Sequence, residues 1–283
     1  IIIYTNYLPF LEAVKNVSNN VKVTLIVTDL PEYDDMSVTT GLIKKLLKSL
    51  NNKLIYKSLD RINSFVILTE RMKKPLSIGN RPYVVVEGLV DSEIGTWTAT
   101  DVNNINKKVI LYAGTFTLKF GIMNLLNAFD LIDNDDYELW ICGSGEAEKE
   151  IKERSNHDSR IKYMGYVSKK KIYELQQKAT VLVNPRTNDG EYTKYSFPSK
   201  TMEYMLSGKP VIMYKLYGIP NEYDQYLYYV EGTETKDLAE CIINVCEKPS
   251  TELSNFGKKS RHFVIENKNN IVQAKKIISL MNY

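Results

Sequence analysis

The strongest constraint on this chain is a recurring pattern of short, uninterrupted apolar runs. Val21–Thr28 (VKVTLIVT), Ser64–Thr69 (SFVILT) and Tyr83–Glu87 (YVVVE) are three of them. Lys108–Gly114 (KVILYAG), Tyr137–Cys142 (YELWIC) and Val181–Arg186 (VLVNPR) are three more. Runs without polar alternation mark strands buried on both faces, as in a parallel sheet. Ile1–Tyr4 adds a strand at the start, and Leu227–Val230 one near the end. Helical spacing fills the intervals: Phe10–Val17 with Leu11 and Val14 inward, Val38–Leu59 with Leu42, Leu46, Leu50 and Leu54 in phase, Ile122–Leu131, Lys169–Lys178 and Thr235–Cys246. Alternating strands and helices predict an α/β fold.

Residues 89–106 break the pattern. Gly95–Asp101 (GTWTATD), followed by Asn103, Asn104 and Asn106, has turn composition and no period. A boundary near Asp101 divides the chain into residues 1–100 and 101–265. After a polar break, a helix from about Asn267 to Met281 closes the chain within a segment 266–283. Ile271, Ala274, Ile277, Ile278 and Met281 form its apolar side, which suits packing back on the first domain or, less commonly, lying on a membrane. The first four strands make an incomplete sheet, and Ile1 opens inside an apolar run, as in a chain whose start is missing.

A net charge of +3 over 283 residues does not indicate nucleic-acid binding. Cys142, Cys241 and Cys246 lack metal-ligand spacing and read as reduced, buried thiols. With only His157 and His262 present, a histidine metal site or a Ser-His-Asp triad is disfavoured. No apolar run reaches the ~20 residues needed to span a bilayer.

The segment Tyr195–Ile212 (YSFPSKTMEYMLSGKPVI) concentrates the chemistry. Ser199 is placed to cap a helix with Met202, Met205 and Leu206 on one face, ended by Gly208. Ser196, Ser199, Lys200 and free N–H groups gather at the positive end of that helix, which suits a phosphate. Glu203, one turn on, suits a vicinal diol. The same residues also fit a capped amphipathic helix with a solvated Lys200–Glu203 pair. Asp29, past the end of its strand, sits where α/β sheets bind ligands, or serves as a turn residue before Pro31. Gly114 and Gly121 resemble a phosphate loop but do not fit the Gly-x4-Gly-Lys-Ser/Thr pattern.

Taken in order between residues 101 and 211, these motifs resemble the GT-B glycosyltransferases, in particular the large retaining family called family 4. The likeness rests on Gly114 and Gly121, Gly143-x-Gly145, Gly165-Tyr-Val167, Asn184-Pro-Arg186, and Ser196-Phe-Pro-Ser-Lys200-x-x-Glu203-Tyr-x-x-x-Gly208-Lys-Pro-Val211. The Phe-Pro-Ser-Lys-x-x-Glu-Tyr form is similar to bacterial enzymes of capsule, exopolysaccharide or O-antigen assembly. VTDLPEY, FVILTERM and PYVVVEGLVD resemble the second half of the family's acceptor domain. The likeness thus covers nearly the whole chain and leaves out roughly the first 80 to 90 residues of the usual domain.

The resemblance implies two Rossmann-like parallel-sheet domains facing a cleft, the first truncated. It also implies a cytoplasmic hexosyltransferase-type enzyme using a nucleotide-sugar donor, UDP-linked, and a glycan or lipid-linked acceptor. Contact with the inner face of the membrane is compatible with that role, and neither cofactor nor metal is expected. Glu203 matches the last Glu of the Glu-x7-Glu motif, which binds the donor ribose. Ser196, Phe197 and Ser199 match the loop at the diphosphate, and Gly114 the turn facing the phosphates. Lys119 lies near the family's phosphate-binding lysine. Gly143 belongs to the second glycine turn, and Tyr166 and Val167 match the segment flanking the base. Arg186 and Lys200 are the cations for the departing diphosphate, and Asp29 is the polar candidate at the acceptor.

The chain departs from the pattern in four places. Tyr195 stands for the first motif Glu, which touches the donor sugar. Pro198 replaces a glycine and removes an N–H. Thr115 stands where many members carry Arg, and the acceptor-side His has no counterpart. A non-catalytic nucleotide-sugar-binding or regulatory protein is therefore the alternative from this family. A two-domain ligand-binding protein of periplasmic type is a third reading.

Overall fold

The computed structural model describes residues 1–33, 41–91 and 107–282. Two parallel sheets carry the chain. The first runs β1 (Ile2–Tyr4), β2 (Thr24–Val27), β3 (Ser64–Ile67) and β4 (Tyr83–Val85), in that order across the sheet. The second contains β5 (Lys108–Ala113), β6 (Tyr137–Cys142), β7 (Ile161–Tyr163), β8 (Val181–Asn184), β9 (Val211–Met213) and β10 (Tyr228–Tyr229), ordered β10-β9-β8-β5-β6-β7. Every strand pair is parallel. The all-buried pattern of β3 and β8 is the physical content of their uninterrupted apolar runs.

In the second sheet the order reverses between β5 and β8, where Ile110 pairs with Val181 and Leu111 with Leu182. The chain leaves β5 for β6 on one side and β8 for β9 on the other, so the carboxyl ends of β5 and β8 open a crevice. Open α/β sheets bind ligands there.

The helices are α1 (Leu8–Ala13), α2 (Leu42–Ser58), α3 (Ile122–Asp130), α4 (Glu148–His157), α5 (Lys169–Lys178), α6 (Ser199–Leu206), α7 (Thr235–Cys246), α8 (Ser250–Asn267) and α9 (Asn270–Met281). Four expectations need correction. Leu42, Leu46, Leu50 and Leu54 do share a helix, but all four are exposed, Leu42 at 87%. Only Ile55 and Ser58 of α2 are buried. The supposed polar break after Cys246 is largely the 18-residue helix α8, which buries Leu253, Gly257, Ser260, Phe263 and Val264. Polar and small residues at inward positions hid its period. On α9 the buried residue is Gln273, whereas Ile271 and Ile278 are exposed. Gln273 faces inward because its amide donates to the Gly88 carbonyl at 3.0 Å. Finally, Ser199 does not cap α6. Pro198 takes the extended N-cap conformation, no side chain caps the helix, and Ser199 falls inside it. The start of the helix expected from Val38, and the boundary at Asp101, lie outside the described residues. Cys142 and Cys246 are buried and Cys241 is half-buried, all as free thiols.

The two sheets are tied together at several points. α9 packs on β3 and β4, and Val90 exchanges backbone hydrogen bonds with Lys268 and Asn270. The Lys268 ammonium, at 2% exposure, pairs with buried Glu87 and reaches Glu222 at 2.6 Å. The Tyr223 hydroxyl donates to the same Glu87 at 2.7 Å. The ammonium and the hydroxyl together satisfy a carboxylate that burial alone would penalise. Nearer the crevice, Arg71 donates to the Tyr217 carbonyl at 2.9 Å.

Glycine sets the closest helix approach. A Cβ on Gly257 would lie 1.9 Å from the Gly208 carbonyl oxygen, so α8 can seat against the end of α6 only without a side chain. Gly257→Ala is expected to destabilise folding by about 2 kcal/mol through forced separation of the helices, read as a lower urea midpoint at unchanged m-value.

Candidate functional site

A cleft of about 530 Å³ lies between the carboxyl ends of the two sheets. The first sheet contributes Thr28, Asp29, Leu30, Tyr33 and Glu87, and the second Gly114, Thr115, Asn184, Arg186 and the segment Tyr195–Lys200. Nine of the residues singled out from sequence therefore share one wall or the other: Asp29, Gly114, Thr115, Arg186, Tyr195, Ser196, Phe197, Ser199 and Lys200. Lys119, Gly143, Tyr166, Val167 and Glu203 are not among its lining residues.

Lys200 is the centre of this geometry. It leaves the first turn of α6 and lays its ammonium 4.2 Å from the centre of the Tyr112 ring. A Cβ on Gly114 would fall 1.6 Å from the Lys200 Nζ, so the glycine at the end of β5 makes room for the cation. Burial disfavours its charge, opposed by nearby Glu203, and brings the ammonium down to about 8. The solvated Lys200–Glu203 ion pair allowed by the sequence is not formed, because Lys200 turns into the cleft.

Arg186 follows β8 and is buried at 8% exposure. Its guanidinium lies 4.6 Å from the Tyr192 ring centre and 5.3 Å from that of Phe120. One Nη donates to the Ser196 hydroxyl at 2.9 Å, whereas Nε has no hydrogen-bond partner. Burial lowers its affinity for the proton, opposed by Tyr192 and the Asp29 carboxylate, yet arginine stays charged. A buried donor left unused in a cleft is an invitation to an anion.

Behind these cations, the ends of β5, β6 and β7 are held in close layers. Gly114 N–H donates to Cys142 O at 2.8 Å, and Gly143 N–H to Gly165 O at 2.9 Å. Gly143 has φ +139°, and a Cβ there would lie 1.9 Å from Gly114 O. Gly143 thus supports the Gly114 turn. Glu203 is exposed on α6 and accepts from the buried Gln176 amide at 3.0 Å, which orients one carboxylate oxygen and leaves the other toward solvent. Tyr166 is 85% exposed. Lys119 is exposed, and its carbonyl accepts from the Tyr192 hydroxyl at 3.1 Å. Burial and Arg186 both lower its pKa. Phe197 turns its ring into the core against Tyr223, at 5.2 Å between centres. Tyr195 stacks on Tyr33 at 6.0 Å, joining the two sheets at the cleft rim.

Several residues escaped sequence reading. Tyr112 sat inside an apolar strand and read as core. Tyr192 lay in a loop with no motif, and Gln176 on a polar helix with no signal of its own. Glu87 gave only a strand end. Among the described residues no group of three or more His, Cys, Asp or Glu side chains is placed to hold a metal ion, and no helix is long and apolar enough to cross a membrane.

Comparison with known proteins agrees with this architecture. Residues 107–248, half of the chain, match the family described as Glycosyl transferases group 1. The crystal structure of HepE from Anabaena in complex with UDP superposes with a TM-score of 0.76 at 14% identity, covering 99% of this chain and 78% of HepE. Sucrose-phosphate synthase from Thermosynechococcus elongatus gives 0.74 at 16% identity, covering 99% and 73%. A variant of TarM from S. aureus, crystallised with fondaparinux, alpha-GlcNAc-glycerol and UDP, gives 0.69 at 15% identity, covering 100% of this chain and 55% of TarM. No curated protein matches in sequence. With two parallel Rossmann-like sheets in the GT-B arrangement and the family's match across the second of them, this chain belongs to the glycosyl transferases group 1 family.

Proposed function

We propose that the protein is a retaining glycosyltransferase that moves a sugar from a UDP-linked donor to a glycan or lipid-linked acceptor in bacterial surface polysaccharide synthesis. The observation that carries this reading is the pairing of two half-buried or buried cations, Lys200 and Arg186, at the topological switch point beside Gly114. The donor diphosphate would lie against these cations and the uncapped N–H groups of α6. As the bond from the anomeric carbon to the diphosphate breaks, negative charge grows on the leaving oxygen, where fixed cations and dipoles stabilise it most. The acceptor hydroxyl would attack from the same face and pass its proton to the departing phosphate, so no protein nucleophile is required. Asp29, on the opposite wall, is the polar group offered to the acceptor. HepE and the TarM variant are described in complex with UDP, which favours uridine in the donor.

Glu203 is assigned to the ribose hydroxyls, with Gln176 holding it in place. Glu203→Ala is expected to weaken UDP binding about 30-fold by loss of charge-assisted hydrogen bonds. Calorimetry with UDP and with inorganic diphosphate checks it: the loss should appear for UDP alone. Equal affinity of the variant and the parent protein for UDP would remove Glu203 from the site.

A further inference from the structure

We propose that a second cavity, beside the cleft, binds the charged groups of an anionic glycan, and that this glycan is the acceptor. The cavity, of about 670 Å³, has the size of a ligand site. Arg71, Lys73, Lys74 and Lys194 line it, against one carboxylate, Glu70. Glu70 already accepts a hydrogen bond from the Tyr83 hydroxyl. Lys194 shares its charge with exposed Glu191 at 2.7 Å. Among the described residues no carboxylate forms an ion pair with Arg71, Lys73 or Lys74. A chain whose net charge is only +3 thus gathers four cations in one cavity.

The cations stand on a built turn. Lys73 lies 4.7 Å from the Tyr83 ring centre, and Arg71 lies 5.3 Å from that of Tyr217. Beyond them, Ser77 adopts φ +49°, a left-handed conformation disfavoured for a residue with a Cβ. Arg81 holds it there, donating to the carbonyls of Ser77 at 2.6 Å, Ile78 at 3.0 Å and Leu59 at 2.6 Å. Strain that the surroundings enforce in this way gathers at ligand clamps.

Two observations select a glycan as the occupant. First, Tyr195 lines this cavity and the cleft alike, and Thr69 donates to the Lys194 carbonyl at 3.3 Å across the seam. A ligand that enters both is extended, with its charges on the outer part. Second, Pro75, Tyr195 and the lysine stems offer apolar surface to a sugar ring, while the ammonium groups meet carboxylate or phosphate. Single-stranded nucleic acid needs a longer cationic track with several aromatic rings for its bases; Tyr195 is the one ring lining this cavity, and it stacks on Tyr33. Calling the glycan the acceptor rests on sugar transfer at the cleft; its binding does not.

Calorimetry with two matched pairs of glycans tests this: tetragalacturonate and its methyl ester, and mannopentaose phosphate and mannopentaose. At least one charged member is expected to bind, its neutral counterpart about tenfold more weakly, and the affinity to fall as salt rises. The pair that shows the difference identifies the anion. Lys73→Gln with Lys74→Gln should weaken the charged glycan about tenfold. UDP affinity and the melting temperature should hold, because neither side chain lines the cleft or forms an ion pair. Equal binding of charged and neutral members, or a double variant that binds like the parent, would overturn the proposal. So would inorganic phosphate binding as tightly as the glycans, which would mark a site for the free ion only. Glycan binding without UDP binding would keep this site and remove the reading of the cleft; UDP binding with neither charged glycan bound would do the reverse.

Discussion

Arg186→Met is expected to lower kcat by about 10²- to 10³-fold, the usual loss when one fixed donor to a developing oxyanion is removed. The folded protein should survive the change. The guanidinium is buried, its Nε is unpartnered, and it rests between the Tyr192 and Phe120 rings. Methionine fills a similar aromatic slot and removes a desolvated charge, so stability should be unchanged or slightly higher. Arg186→Lys keeps the charge but not the planar fork or its stacking, and should recover only part of the rate. UDP release from the donor, alongside a urea unfolding curve, separates chemistry from folding. An unaltered turnover rate in the methionine variant would place the leaving group elsewhere.

Lys200→Met is expected to weaken UDP binding about 100-fold at pH 7, again by loss of charge-assisted hydrogen bonds. It should also erase a pH dependence. Burial holds the Lys200 ammonium to about 8, well below an ordinary lysine. Below that pH the cation is present and diphosphate affinity is level. Above it the free protein loses the proton that binding must restore, so affinity falls by up to tenfold per pH unit until the pKa of the complex is reached. The same shift acts on folding in the opposite direction. Because the folded pKa is depressed, the unfolded chain binds more protons between about pH 8 and the ordinary lysine value, so this group's contribution to stability rises with pH across that window. In Lys200→Met both slopes should vanish. A variant that keeps the parent pH profile would show that another group titrates.

Much of the architecture could be read from sequence because apolar runs report burial directly. The strands of both sheets fall where VKVTLIVT, SFVILT, KVILYA and YELWIC placed them. What periodicity cannot report is which side of a helix finds a partner. The leucines of α2 have a regular spacing and remain in solvent, whereas α9 turns in a glutamine because a carbonyl at Gly88 awaits it. α8 was missed for the converse reason, since Gly257 and Ser260 stand at inward positions beside Leu253, Phe263 and Val264 and break the apolar period. At the cleft, Lys200 and Arg186 carried a signal because cations beside glycine-rich strand ends suit phosphate. Tyr112, Tyr192 and Gln176 act by shape around those cations and carried none. Tyr195 could be placed at the cleft, but its stacking on Tyr33 depends on the first sheet, which no local motif encodes.

The central claim is that the cleft between β5 and β8 receives a nucleoside diphosphate on Lys200 and Arg186. Calorimetric titration of UDP at pH 8.5, repeated in two buffers of different ionisation enthalpy, tests it most directly. Saturable one-to-one binding is predicted, with uptake of about three-quarters of a proton as Lys200 regains its charge, and with no such uptake in Lys200→Met. Failure to bind UDP or any other nucleotide, or saturable binding of free sugars alone, would contradict the account.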